Sequence, residues 1–171
     1  TSGYVPLGGF AISERLLAKV SGENSRGSTY SNGYTYSGHP VSCAAALANI
    51  DVMENESVLQ HVRDISGHFE ARLRSLGDLP LVGDVRTSGL VGCVECLVDK
   101  KSYPANALDN RVSGRVDEHC FDLGLIVRPM ANMCIISPPL VITKEQIDAI
   151  VDILHEGIMR TWNEFQNGYF K

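Results

Sequence analysis

The chain lacks any apolar run of membrane-spanning length. Its most apolar stretch, residues 41–50, is broken by Ser42 and Asn49 and is half as long as a span requires. No basic segment leads into an apolar core, so no signal peptide is expected. There is no block of Lys or Arg. With 15 basic and 20 acidic side chains and a net charge of −5, the surface is wrong for nucleic acid. Repeats and low-complexity tracts are absent. Cysteine is sparse and odd in number, with five scattered residues, which excludes a disulfide framework and predicts reduced thiols in a cytoplasmic protein. Cys93 and Cys96 have CxxC spacing, but GLVGCVECLV around them reads as a strand, where residues three apart point to opposite faces. The five histidines show no ligand spacing, so no metal site is expected.

What is present suits an α/β protein with a real core: 171 residues, 44% apolar and 20% charged, enough for one domain or a small domain plus part of another. Residues 7–12, LGGFAI, predict a short buried strand, followed by a helical segment over 13–20 with Ser13 as N-cap. The polar stretch 21–38 is too long for a plain turn and predicts a functional or interface loop. A helix follows over 40–54, whose Ala44, Ala45, Ala46 and Ala48 permit close packing. Another is predicted over 58–76, with Leu59, Val62, Ile65, Phe69, Leu73 and Leu76 as one apolar stripe and Gly77 as its stop. Strands are predicted near 82–87, 90–98, 125–128 and 133–137. Between them a helix over 111–123 ends at Gly124. Thr143 and Gln146 form a capping-box pattern for a last helix that buries Ile147, Ile150, Val151, Leu154 and Ile158.

The segment GYTYSGHP at 33–40 is the richest in chemistry. Two glycines and several hydroxyls stand just before an alanine-rich helix, whose first N–H groups lack partners and carry the positive end of the dipole. Two readings are open. One is a capped turn, with Ser37 as N-cap and Pro40 at the first helical position. The other is a phosphate site. Within the segment, His39 has a side chain suited to proton transfer, but a structural role in the turn is the expected one. Further along, Glu95 lies mid-strand in an apolar run and must be paired or face water. Arg86, in GDVRTSG, is expected to be a strand or interface arginine.

Three segments, in order, carry a family resemblance. TSGYVPLGG at 1–9 resembles the segment that follows the cofactor-bearing lysine in class III pyridoxal-phosphate aminotransferases. NGYTYSGHPVSCAAALA at 32–48 resembles that family's next signature, and GLIVRP at 124–129 resembles the segment bearing its substrate-carboxylate arginine. The likeness is nearest to the branch that moves amino groups from amines or omega-amino acids to pyruvate.

The resemblance implies a fold-type I pyridoxal-phosphate transferase and its C-terminal portion: the end of the large domain over 1–56, a linker helix over 57–78 and a small α/β domain over 79–171. It implies that Thr35 binds the cofactor phosphate across a homodimer interface, and that Gly33 and Tyr34 shape that loop. Tyr34 either lines the neighbouring substrate pocket or packs in the interface. Arg128 is implied as the guanidinium fork for a substrate carboxylate; the alternative is a strand-end arginine paired with a surface acid. The partners implied are an amino donor and a keto acid. The family's Schiff-base lysine would fall three residues before Thr1, so no catalytic residue is expected in this chain, and the chain alone is expected to be inactive. Two alternatives remain: an inert or interaction module derived from an aminotransferase C-terminus, and a same-fold aminomutase or decarboxylase.

Overall fold

A computed structural model describes residues 1–21, 32–101 and 104–170. The core of the loop expected over 21–38 lies outside the described residues. The chain forms two units, Thr1–Ser57 and Val58–Lys171.

The first unit holds helices α1 (Glu14–Ser21) and α2 (Pro40–Asn55). The Ser13 carbonyl accepts from the N–H groups of Leu16 and Leu17, and its hydroxyl lies 3.4 Å from the Leu16 nitrogen, as an N-cap should. The predicted strand over 7–12 does not form, and each of its residues is exposed. A strand needs a neighbour to satisfy its backbone, and no described segment of the unit offers one. α2 starts with Pro40 in its first turn, but its N-cap is His39, without a side-chain cap. The Ser37 hydroxyl, expected to cap the helix, instead accepts from the Tyr34 N–H at 2.9 Å inside the preceding turn.

The second unit begins with α3 (Val58–Arg74), continues through strands β1 (Val82–Ser88) and β2 (Val91–Cys96), helix α4 (Ala107–Asp122), strands β3 (Arg128–Met130) and β4 (Met133–Ile136), and closes with α5 (Lys144–Gln166). The four strands form one antiparallel sheet in the order β1-β2-β4-β3. α3 and α4 cover one face of it, and α5 packs against both helices. The core joins Ile65, Phe69 and Leu73 of α3, Val85, Val94 and Cys134 of the sheet, and Ile147, Val151, Leu154 and Ile158 of α5. The helix expected as a linker thus has its buried face in this core. Leu59, expected on that face, is exposed, and Val58 is buried in its place. α3 ends three residues before Gly77, in a turn where Leu76 and Gly77 donate to the carbonyls of Leu73 and Arg74.

The two ends of α4 explain where the chain leaves β2 and where it enters β3. α4 starts four residues earlier than predicted, because Asn106 and Asp109 form a capping box: the Asn106 side chain accepts from the N–H groups of Leu108 and Asp109, and Asp109 accepts from the Asn106 N–H at 2.8 Å. Buried Asp109 also takes the Val98 N–H at 2.8 Å, which ties the chain after β2 to the helix. At the other end, Gly124 adopts φ +92° and donates to Phe121, while Leu125 donates to Cys120. This Schellman arrangement occupies the backbone of 123–125. The strand predicted at 125–128 is therefore displaced to Arg128–Met130. Thr143 and Gln146 form the capping box predicted for α5; Ile150 is only half-buried.

Candidate functional site

Gly33, Tyr34 and Thr35 lie together in the turn that leads into α2. The turn is closed by a 2.9 Å bond from the Ser37 N–H to the Tyr34 carbonyl and a 3.2 Å bond from the His39 N–H to the Tyr36 carbonyl. Gly38, not Gly33, takes the positive φ, at +67°. Among the described residues, its chain neighbours apart, no atom lies within 4 Å of where a Cβ on Gly33 would sit, so the backbone there is open to approach. The Tyr34 ring is exposed. His39 meets the Tyr36 ring edge-on at 5.9 Å, and among the described residues its ring makes no hydrogen bond. Among the described residues neither the hydroxyl nor the N–H of Thr35 has a hydrogen-bond partner. A phosphate dianion requires such donors, a hydroxyl and free N–H groups at a helix start. The donor set of the turn fits a phosphate ester.

Arg128 belongs to the second unit and opens the edge strand β3. In an antiparallel sheet directly opposed residues share a face. Register places Arg86, Cys93, Ile135 and Arg128 in one row across the four strands, on the face turned away from α3 and α4. The next row holds Asp84, Glu95, Met133 and Met130. The four charges of these rows are unequally placed. Arg86 Nη1 lies 2.8 Å from Asp84 Oδ2 and 2.8 Å from Glu95 Oε2. The hydrogen bond to Glu95 is the main reason that the Arg86 guanidinium holds its proton more tightly than usual; partial burial opposes it. Arg128 is exposed, and among the described residues it pairs with no carboxylate.

The hairpin that carries Arg128 is held from two sides. Ala131, at its tip, sits at φ +53°, where a side chain costs about 1 kcal/mol or more. Buried Ser113 of α4 donates its hydroxyl to the Ala131 carbonyl at 2.6 Å. Buried Asn132 donates to Glu95 Oε1 at 3.1 Å and to the Cys96 carbonyl at 3.0 Å, while the Cys96 N–H donates to the Asn132 carbonyl at 2.7 Å. Glu95 is therefore paired, one of the two outcomes open to it in an apolar run. Neither Ser113 nor Asn132 stands out in the sequence as a contributor. An asparagine between two predicted strands is a turn signal, but nothing local marks it as buried.

The remaining candidates separate cleanly. Cys93 is half-buried and Cys96 fully buried, on opposite faces of β2, and the five cysteines are free. A cleft of about 580 Å³ in the second unit is lined by Ile126, Ile136, Pro138, Val141 and Ile150 among others. Among the described residues no ionisable side chain lines it, and Arg128 is not part of its wall.

Comparison with known proteins gives these features a context. Residues 1–158 match the family model for aminotransferase class-III, and the chain belongs to this family. It is 36% identical over 162 residues to a putrescine–pyruvate aminotransferase of Pseudomonas aeruginosa, covering 94% of this chain and 34% of that protein. It is 34% identical over 158 residues to an adenosylmethionine-8-amino-7-oxononanoate aminotransferase of Geobacter sulfurreducens, covering 92% and 35% respectively. The PMP-bound form of an aminotransferase from Vibrio fluvialis superposes with a TM-score of 0.73 at 37% identity, over 79% of this chain and 30% of that one. The chain thus spans about a third of the length of these relatives. Its α/β fold is that of the pyridoxal-phosphate-dependent transaminases, and the cofactor of the family is pyridoxal phosphate.

Proposed function

We propose that the whole protein is a transaminase that moves an amino group from an amine or omega-amino acid to a keto acid such as pyruvate. The observation that carries this is Arg128: a family-matched guanidinium on an open sheet face, free of any carboxylate among the described residues. A bidentate fork needs that freedom if it is to take a substrate carboxylate. Thr35, with two unused donors, holds the cofactor phosphate, and Gly33 leaves the backbone open beside it. Tyr34 stands next to this grip. Pyridoxal phosphate, when bound, supplies an electron sink for the carbon that exchanges nitrogen. The homodimer implied by the resemblance supplies the second half of each site. Five free thiols support a cytoplasmic location.

The test is Arg128→Ala in the full-length protein. Truncating one partner of a buried charged pair costs about 2–5 kcal/mol, so kcat/KM for pyruvate should fall at least tenfold, and that for an aldehyde acceptor should hold. Equal losses with both acceptors would make Arg128 structural.

In this reading the 171-residue chain alone is inactive, because the resemblance puts the cofactor-bearing lysine outside it. A second reading, an interaction or oligomerisation module, is favoured by one observation: the apolar residues of α2 are not gathered on one face, and Val41, Leu47, Ile50 and Val52 are exposed. Titration of the isolated chain with pyridoxal phosphate separates inactivity from catalysis. Absence of a saturable one-to-one complex supports the inactive chain. Sedimentation of the same sample tests for self-association.

A further inference from the structure

We infer that Arg86 determines substrate specificity by sequestering the two carboxylates on the open face of the sheet, so that Arg128 stays free for an incoming carboxylate. The inference rests on the proposed role of Arg128. Asp84 and Glu95 stand on the same face as Arg128. Glu95 is separated from β3 by one strand, β4, so about 10 Å of sheet lies between their backbones. An arginine and a glutamate can bridge much of that span with their side chains. A free Glu95 would compete with substrate for Arg128, and a free Asp84 would repel an approaching anion. Arg86 removes both effects. One guanidinium nitrogen, Nη1, contacts both acids at 2.8 Å, and Nη2 rests 3.7 Å from Cys93 Sγ and 3.5 Å from Met133 Sδ.

The second carboxylate oxygen of Glu95 strengthens the argument. Oε1 accepts from Asn132, which fixes the turn after Arg128. With Oε2 on Arg86 and Oε1 on Asn132, Glu95 is committed at both oxygens. The same carboxylate is thereby kept away from Arg128 and used to hold the hairpin that presents it. Arg86 touches neither substrate nor cofactor in this scheme. It acts through Asp84, Glu95 and the charge they would otherwise project.

The experiment uses the full-length protein and compares pyruvate with an uncharged aldehyde acceptor of similar size. Arg86→Met should raise KM for pyruvate about two- to tenfold, the range for one or two uncompensated charges near 10 Å, and leave KM for the aldehyde unchanged. Asp84→Asn/Glu95→Gln, with Arg86 retained, should move pyruvate KM the other way, down about two- to fivefold, because the face then carries two uncompensated cations. This double variant keeps an acceptor for Asn132, and it serves where Arg86→Met does not fold. A purely structural Arg86 predicts that Arg86→Met changes KM for both acceptors alike. An unchanged or raised pyruvate KM in the double variant, or equal changes for both acceptors, would overturn the inference. Arg128→Ala is measured beside them. If it fails to discriminate the acceptors, the reading of Arg128 falls and this inference with it. If Arg128→Ala discriminates and the Arg86 and acid variants do not, the assignment of Arg86 alone falls.

Discussion

Val58–Lys171 buries an apolar cluster running from α3 through the sheet to α5, whereas no described residue of Thr1–Ser57 is buried. The contrast is not one of composition. α2 is the more apolar helix by sequence, and helices that are apolar all round occur in protein interiors. Yet Val41 and Leu47 of α2 are each more than 60% exposed, while Phe69 and Leu73 of the amphipathic α3 are fully buried. Burial follows from partners distant in sequence. α3 has the sheet and α5 to face; among the described residues of its own unit, α2 has no such surface.

The sharpest way to break this comparison is a matched pair of truncations in the 171-residue chain. Phe69→Ala removes a fully buried ring and should lower the unfolding free energy by about 3–5 kcal/mol. Leu47→Ala in α2 should change it by about 0.5 kcal/mol or less. Urea unfolding followed by far-ultraviolet circular dichroism reads both. A loss for Leu47→Ala comparable to that for Phe69→Ala would mean that the first unit has a core of its own.

In the proposed function the first unit contributes binding donors rather than burial, and Thr35 is the residue that sharpens the comparison. In the full-length protein, Thr35→Val should weaken cofactor retention by about 1.5–3 kcal/mol, the value of one hydrogen bond to a charged group. The reading is the dissociation constant for pyridoxal phosphate, with kcat measured at saturating cofactor. Retention should fall about ten- to a hundredfold while kcat is largely kept. Unchanged retention would return Thr35 to the role of a turn hydroxyl.

Legibility in the sequence follows the same division. α2, α3 and α5 and strands β1, β2 and β4 were visible from periodicity and capping, because those signals are local. The Thr143–Gln146 box formed as its spacing required. The strand predicted over 7–12 does not form, because an apolar run specifies a need for neighbours and not the neighbours themselves. The start of α4 was missed because Asn106 and Asp109 are a less familiar pair than Thr and Gln in the same geometry. The displaced β3 shows a stop signal extending past its glycine. Gly124 marks the stop, but the cap also consumes Leu125. At the candidate site, motifs single out Arg128 and Thr35 as the residues to test. The commitment of Arg86 to Asp84 and Glu95, and the hold of Asn132 and Ser113 on the hairpin, depend on strand register and on a helix 18 residues away in sequence from the carbonyl it binds.

Within the second unit, the α4–α5 crossing depends on an absent side chain. A Cβ on Gly157 would stand 2.8 Å from Cys120 Sγ and 3.4 Å from the Val116 carbonyl. Gly157→Ala should therefore cost about 1–3 kcal/mol by overpacking, even though alanine is the better helix former. Thermal unfolding of the chain measures it. A gain in stability would show that the two helices can separate without loss.

The smallest effect concerns the polar rim of that same crossing. Arg115 of α4 grips Glu164 of α5 with two bonds, Nε to Oε2 at 2.7 Å and Nη2 to Oε1 at 2.6 Å, and His119 Nε2 lies 3.2 Å from Oε1. The Arg115 hydrogen bonds are the main cause that lowers the Glu164 carboxyl to about 2; desolvation opposes them, and His119 adds to them. A depressed carboxylate stabilises the fold above its ordinary pKa and loses that contribution as pH falls toward the folded value. The contribution should therefore be complete above about pH 4.5, decline below it and vanish near pH 2. Solvent screening at this rim limits it to about 1–2 kcal/mol. Urea unfolding of wild type and Glu164→Gln across this range gives the answer. The difference between the two proteins should be largest at neutral pH and shrink on acidification. A gap that persists unchanged to pH 2 would assign the effect to packing of the glutamate stem and not to its charge.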